Sequence, residues 1–249
     1  MAEENTSISP EMLLMFAKIA STTYENPPTS KPLFKELGFK IIKFFDIDGA
    51  QAYFLNNGAF NVLSFRGTEV KEKSDVLADL EAGKNVERSG GKVHHGFKHE
   101  LDKLWTAIEE TCVDNPGDLY VTGHSLGAAM ATIAASRLQP NVISLVTFGS
   151  PRVGTKEFVF NLNVKHFRVQ NNNDAVTKVP FYLMGFRHHG DCVYLNYYGE
   201  IRKLSPWQRF KDMVRARRRA YLKFQFFKAV YDHLMANYIG KLEKLNKGN

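Results

Sequence analysis

The chain has 249 residues, of which 44% are hydrophobic and 24% charged, and its formal net charge is +7. This length and balance suit one domain, 1–249, with a buried core, and they exclude a fibre, a repeat array and a disordered polymer. The excess charge is local, because residues 201–249 hold 13 Lys or Arg against 3 Asp or Glu, a basic C-terminal segment on an otherwise slightly acidic chain.

In chain order, Ser9-Pro10-Glu11 marks a helix start. Ser9 can accept from the first free backbone N–H groups, Pro10 is preset for the first turn, and Met12, Phe16 and Ile19 carry the apolar face to about residue 23. The proline-rich stretch 26–32 is expected to break regular structure. Strand-like runs follow at 39–45, 50–55 and 60–65, joined by the hairpin signals Asp46-Ile47-Asp48-Gly49 and Asn56-Asn57-Gly58. Phe97, Leu101, Leu104 and Ile108 share one face of a helix predicted over 97–113. Beyond it, strands at 119–122, 142–148, 166–170 and 193–197 alternate with helices at 126–138 and 156–162, and residues 206–239 read as mostly helical. Alternation implies crossover connections and a parallel sheet. The expected class is therefore α/β, a mostly parallel central sheet with antiparallel strands at one edge and helices on both faces.

Gly123-His124-Ser125-Leu126-Gly127 fits the G-x-S-x-G elbow where that pattern has physical meaning, between an apolar strand and a helix of small residues. A turn this tight leaves no room for side chains two places either side of the serine. The following helix start offers free N–H groups and a positive dipole end to a developing oxyanion, Leu126 supplying one donor. Ser125 is the candidate nucleophile.

On such a sheet the partners follow in the order Ser, acid, His. Asp174 comes after the strand 166–170 through Asn171-Asn172-Asn173, whereas Asp191 precedes a strand, at the wrong end of the sheet for a site. Asp174 is favoured as the acid. Of the downstream histidines, His166 starts a strand ahead of the acid, His188 and His189 precede a strand, and His233 follows every strand. His233 is favoured over His188 as the base that takes the serine proton, with the carboxylate holding its tautomer and stabilising its cation.

With these residues in hand, the chain resembles the fungal-type, or class 3, triacylglycerol lipases. The likeness runs from Val62-Leu63-Ser64-Phe65-Arg66-Gly67-Thr68 through Val93-His94-His95-Gly96-Phe97, the serine elbow, Thr147-Phe148-Gly149-Ser150-Pro151-Arg152-Val153-Gly154, Phe167-Arg168-Val169 with Asp174, and Asp232-His233. It covers roughly residues 38–240. The resemblance implies an α/β-hydrolase fold, the triad Ser125, Asp174 and His233, and a second oxyanion donor at Thr68. It also implies a short helical lid over 69–80, with Glu69, Val70, Val76 and Leu77 among its residues. Two departures stand out. The lid is heavily charged, with Glu69, Lys71, Glu72, Lys73 and Asp75, and a tryptophan common in family lids is replaced near Val76. Tyr238 also stands one place further from His233 than the family's usual spacing.

The implied activity is hydrolysis of acylglycerols or related fatty acyl esters, with no cofactor. A phospholipase A1 or a short-chain or feruloyl-type esterase would use the same site. A catalytically silent lipid-binding module is a different class, disfavoured because the triad residues and Thr68 are all present. The basic segment 201–249 interleaves Arg and Lys with Trp207, Phe210, Phe224, Phe226 and Phe227, a composition able to lie on anionic membrane, although an apolar stripe packed on the sheet with charges facing water is the preferred reading. No nucleic-acid motif accompanies it. His95 and His99 share a helix face but lack a third ligand at zinc spacing, so no metal is expected. Cys112 and Cys192 read as free thiols. The acidic N-terminus and the lack of an apolar run of about 18 residues argue against an export signal and a transmembrane helix, and the expected place is the cytoplasm or a membrane periphery. Oligomeric state is not encoded in any linear pattern here.

Overall fold

The computed structural model describes residues 8–67, 83–202, 207–208, 211–212, 214 and 232–247. The expected lid, with Glu69, Val70, Val76 and Leu77, and the expected oxyanion residue Thr68 lie outside the described residues, as does most of the basic stretch 203–231.

The first helix, α1 (Pro10–Thr22), starts as expected, with the Ser9 side chain accepting from the Met12 N–H at 3.2 Å. The stretch expected to break structure is instead a helix, α2 (Pro27–Glu36). Asn26 caps it, and Pro27 and Pro28 fall in the first turn, where a missing N–H costs nothing because those groups have no helical partner. Pro32 does remove one interior hydrogen bond. Burial of Phe34, whose ring centroid lies 5.1 Å from that of Tyr53, favours the helix despite that loss.

Seven strands form the main sheet: β1 (Lys40–Ile47), β2 (Ala50–Asn56), β3 (Asn61–Phe65), β6 (Leu119–His124), β7 (Val142–Phe148), β8 (His166–Asn171) and β9 (Asp191–Leu195), adjacent in that order. β1, β2 and β3 pair antiparallel, and every later pairing is parallel. A separate hairpin joins β4 (Lys84–Val86) to β5 (Lys92–His94). β9 begins and ends two residues earlier than expected. Its register pairs Phe167 with Asp191 and Asn171 with Leu195, and Asn196 then turns the chain, its side-chain oxygen accepting from the N–H groups of Tyr198 and Glu200 at 2.9 and 3.0 Å.

The remaining helices are α3 (His95–Asp114), α4 (Leu126–Leu138), α5 (Lys156–Asn161) and α6 (Met235–Lys247). The C-terminal helical expectation needs correction at 232–234, which form a turn, with α6 continuing past residue 239. Two cores flank the sheet. One gathers α3 and α4 side chains, including Leu101, Leu104, Ile108 and Ile133, against Leu63, Phe65 and Val121. The other packs Leu13, Phe16 and Ile19 of α1 with Tyr238 and Leu242 of α6 on Val62, Phe148 and Val169. Side chains alternate between these faces because strand residues point to opposite sides in turn.

Candidate active site

β6 runs straight into the elbow, and Ser125 occupies φ 59°, ψ −127°, a conformation that residues with a side chain rarely adopt. The flanking glycines are sterically required. A Cβ on Gly123 would sit 2.4 Å from the Gly127 carbonyl oxygen, and one on Gly127 would sit 2.3 Å from the Phe65 oxygen. The strand, the helix start and the end of β3 thus touch backbone to backbone. Leu126 is the first residue of α4, so its N–H has no partner within the helix by position. The end of β3 also approaches the nucleophile, since a Cβ on Gly67 would lie 3.2 Å from Ser125 Cβ.

Asp174 sits on the turn after β8, wholly buried. Each asparagine before it has its own partner. Asn171 Nδ2 donates to the Asp232 carbonyl at 2.8 Å, Asn172 Nδ2 donates to Asp212 Oδ2 at 2.9 Å, and Asn173 Oδ1 accepts from Lys178 Nζ at 2.7 Å. Asp212 also accepts from the Tyr194 hydroxyl at 2.9 Å, which ties the beginning of the basic segment to the turn. The Asp174 carboxylate accepts from the Val176 N–H on Oδ1 at 2.9 Å, leaving Oδ2 to face the interior.

His233 Nδ1 lies 2.8 Å from Asp174 Oδ2, and His233 Nε2 lies 2.8 Å from Ser125 Oγ. A carboxylate can only accept, so the ring proton resides on Nδ1 and Nε2 accepts from the hydroxyl. The structure therefore brings together the three residues favoured from chain order, 2, 0 and 1% exposed for Ser125, Asp174 and His233. The alternatives lie elsewhere. Asp191 pairs with Lys165 at 3.1 Å at the start of β9, and His188 Nε2 contacts the Thr177 carbonyl at 2.8 Å.

Three further residues, with no role assigned from the sequence, support this line of three. Tyr238 donates to Asp174 Oδ2 at 2.6 Å while accepting from the Asn171 N–H at 3.1 Å. Burial and the neighbouring Asp174 charge push its hydroxyl well above the usual tyrosine range, so it remains a donor. His124, the second residue of the elbow motif, donates from Nε2 to the His233 carbonyl at 2.7 Å, and its Nδ1 accepts from the Tyr24 hydroxyl at 2.8 Å. Gly149 leaves the space the line needs. A Cβ there would lie 2.8 Å from Asp174 Oδ2 and from His233 Nδ1, at a φ of +56°.

His95 and His99 stack with ring centroids 6.1 Å apart, and among the described residues no group of three His, Cys, Asp or Glu side chains could hold a metal ion. Cys112 and Cys192 are free, and burial pushes the Cys112 thiol up to about 11. Among the described residues no helix is long and apolar enough to cross a membrane.

Sheet order, elbow and hydrogen-bonded Ser-His-Asp line together define an α/β-hydrolase. Residues 62–184 match the family described as Lipase (class 3), a segment that includes Ser125 and Asp174 and ends before His233. Over that segment, just under half of its length, the chain is similar to class 3 lipases. It is 36% identical over 110 residues to the secreted mono- and diacylglycerol lipase 1 of Fusarium solani, covering 40% of this chain and 33% of that protein. It is 39% identical over 148 residues to a chloroplastic phospholipase A(1) of Arabidopsis thaliana, covering 48% and 33%. The chain thus spans about a third of the length of these relatives. Lipase II from Rhizopus niveus superposes with a TM-score of 0.66 at 25% identity, covering 75% of this chain and 80% of that one.

Proposed function

We propose that this chain hydrolyses carboxylic esters of acylglycerols or related fatty acyl compounds through an acyl-enzyme intermediate. The observation that carries the reading is the unbroken line from Ser125 Oγ through His233 to Asp174, with both contacts at 2.8 Å. His233 Nε2 takes the Ser125 proton as Oγ bonds to the ester carbonyl carbon, and the carbonyl electrons move onto an oxyanion facing the backbone donor at Leu126, with Thr68 the second donor that the family resemblance implies. Collapse of that intermediate breaks the C–O bond, and His233 returns the proton to the leaving alcohol. Water repeats the sequence on the acyl-enzyme, releasing the acid and freeing Ser125. Asp174 keeps the imidazole in the productive tautomer and stabilises its cation.

The similarity to the Arabidopsis phospholipase A(1) supports a second reading in which the acyl group comes from a phospholipid. One experiment addresses both: turnover of nitrophenyl esters from acetate to palmitate, and of phospholipid vesicles, by the parent chain and Ser125→Ala. The substitution is expected to lower ester turnover by about a thousandfold or more. Because 69–75 carries five charged residues in seven positions, short and medium chains are expected to turn over faster than long ones. Persistent turnover in Ser125→Ala would refute the mechanism, and faster release of palmitate than butyrate would refute the chain-length preference.

A further inference from the structure

Phe181, Tyr182 and Leu183 are 64, 57 and 97% exposed, consecutive large apolar side chains standing in water. The turn that bears them is well held. The Met184 N–H donates to the Phe181 carbonyl at 2.9 Å, the Gly185 N–H to the Tyr182 carbonyl at 3.0 Å, and the Arg187 N–H to the Gly154 carbonyl at 2.7 Å. Phe186 anchors the far end, fully buried, its ring 5.7 Å from that of His94. A rigid turn that keeps three such side chains exposed is a feature of binding surfaces, because single exposed hydrophobics are ordinary but contiguous ones are not.

The side chains that fasten this turn are cationic. The Arg187 guanidinium lies 3.5 Å from the centroid of the Tyr182 ring and donates to the Tyr182 carbonyl at 2.9 Å. Lys84 Nζ donates to the Met184 carbonyl at 2.5 Å, and Arg152 Nη1 donates to the Pro180 carbonyl at 2.9 Å. The turn lies in the connection between Asp174 and β9, and the Arg187 N–H ties it to Gly154, in the segment that follows β7. An apolar tip with a basic collar is complementary to one kind of surface, lipid with anionic headgroups over an acyl interior.

We propose that the turn bearing Phe181, Tyr182 and Leu183 is a wedge that docks the chain on an anionic phospholipid bilayer, the apolar tips entering the headgroup boundary while Lys84 and Arg187 face lipid phosphates. This rests on the ester-hydrolase reading for its purpose, because it carries the site to where esters are concentrated. It differs from a contact made by the basic segment 201–249, which needs no apolar wedge.

The test uses Ser125→Ala protein, so that turnover cannot alter the vesicles, sedimented with phosphatidylcholine vesicles with and without phosphatidylserine. Binding is expected to be stronger with phosphatidylserine, to weaken with salt, and to fall on the order of tenfold on adding Phe181→Ser and Leu183→Ser. With Ser125 restored, the double variant should hydrolyse nitrophenyl butyrate in solution at the parental rate, which shows that the fold and the site survive. Vesicle binding that is absent, indifferent to phosphatidylserine or unchanged by the double variant would overturn the proposal. So would a dimer, seen by sedimentation velocity, that the double variant dissolves, since the tip would then be covered by a second copy. Absence of ester turnover in the parent alongside wedge-dependent vesicle binding would instead count against the enzymatic reading alone.

Discussion

Asp174 Oδ2 receives two donors at once, the His233 ring and the Tyr238 hydroxyl, at 2.8 and 2.6 Å. A hydrogen bond to a charged group contributes about 1.5–3 kcal/mol, so Tyr238 has a measurable share in holding the carboxylate where the imidazole needs it. Tyr238→Phe keeps the ring that packs edge-on to Phe148 and removes only the donor. Its kcat on nitrophenyl butyrate is expected to fall by roughly ten- to a hundredfold with KM little changed. Steady-state kinetics showing an unaltered kcat would exclude that role. In the linear chain Tyr238 stands out only by its spacing, five positions after His233 and one more than is usual in the family it resembles, with no role attached. Its hydroxyl reaches Asp174 because α6 lies against α1 and the sheet, a contact between distant segments that spacing cannot express.

Elements at the far end of α4 from the elbow are fastened by a buried ion pair. Arg137, in the last turn of α4, reaches Glu87 beside the β4–β5 hairpin at 2.8 Å and Asp102 on α3 at 2.7 Å, and the Arg137 and Glu87 side chains are 3 and 0% exposed. Its guanidinium also lies 4.7 Å from the Trp105 ring centroid. Arg137→Met would leave the Glu87 carboxylate buried without its cation, a loss on the order of 3–5 kcal/mol. For a chain of this size each kcal/mol corresponds to about 2–4 °C in Tm. Urea and thermal unfolding of this variant should both show the drop; a stability within about 1 kcal/mol of the parent would mean that Glu87 finds other compensation. Element identity was mostly legible, since α4 and β7 follow the expected spans residue for residue. α2 was not, because turn-forming residues at 26–32 are also acceptable in a helix's first turn, and only the packing of Phe34 on Tyr53 decides between these uses.

For the molecule as a whole, stability should depend on pH through histidines away from the triad. His166 is buried with Nε2 at 2.8 Å from Thr147 Oγ1 and Nδ1 at 3.1 Å from His189 Nδ1. Burial, then the neighbouring His189, Arg168 and His188, hold it well below the ordinary histidine value of 6.5. Burial also lowers His188, with Arg168 and Arg152 adding to it, and lowers His189 despite the opposing effect of Asp191. The unfolded chain, whose histidines keep the ordinary value, binds protons these groups refuse when folded, so stability is present above about pH 6.5 and declines as pH falls through and below it. Thermal unfolding at pH 7.5 and at pH 5, conditions chosen to bracket that ordinary value, should show a lower Tm in acid, and His166→Gln should make the difference smaller. A Tm that is flat across that interval, or a His166→Gln slope equal to the parent's, would contradict this account.

The residues alone determined the class of sheet, the position of the elbow and the order in which its partners follow, because period, glycine spacing and strand-then-helix alternation are local properties of the chain. They also narrowed the acid to Asp174 over Asp191 and the base to His233 over His188, since chain order maps onto which end of a parallel sheet a residue reaches. Only the tertiary structure decided that those three side chains share one line, that Tyr238, His124 and Gly149 surround it, and that residues 181–183 stand exposed on a pinned turn. Each of these depends on contacts between segments far apart in sequence, where the energy comes from packing and from buried hydrogen bonds rather than from any residue's own preference.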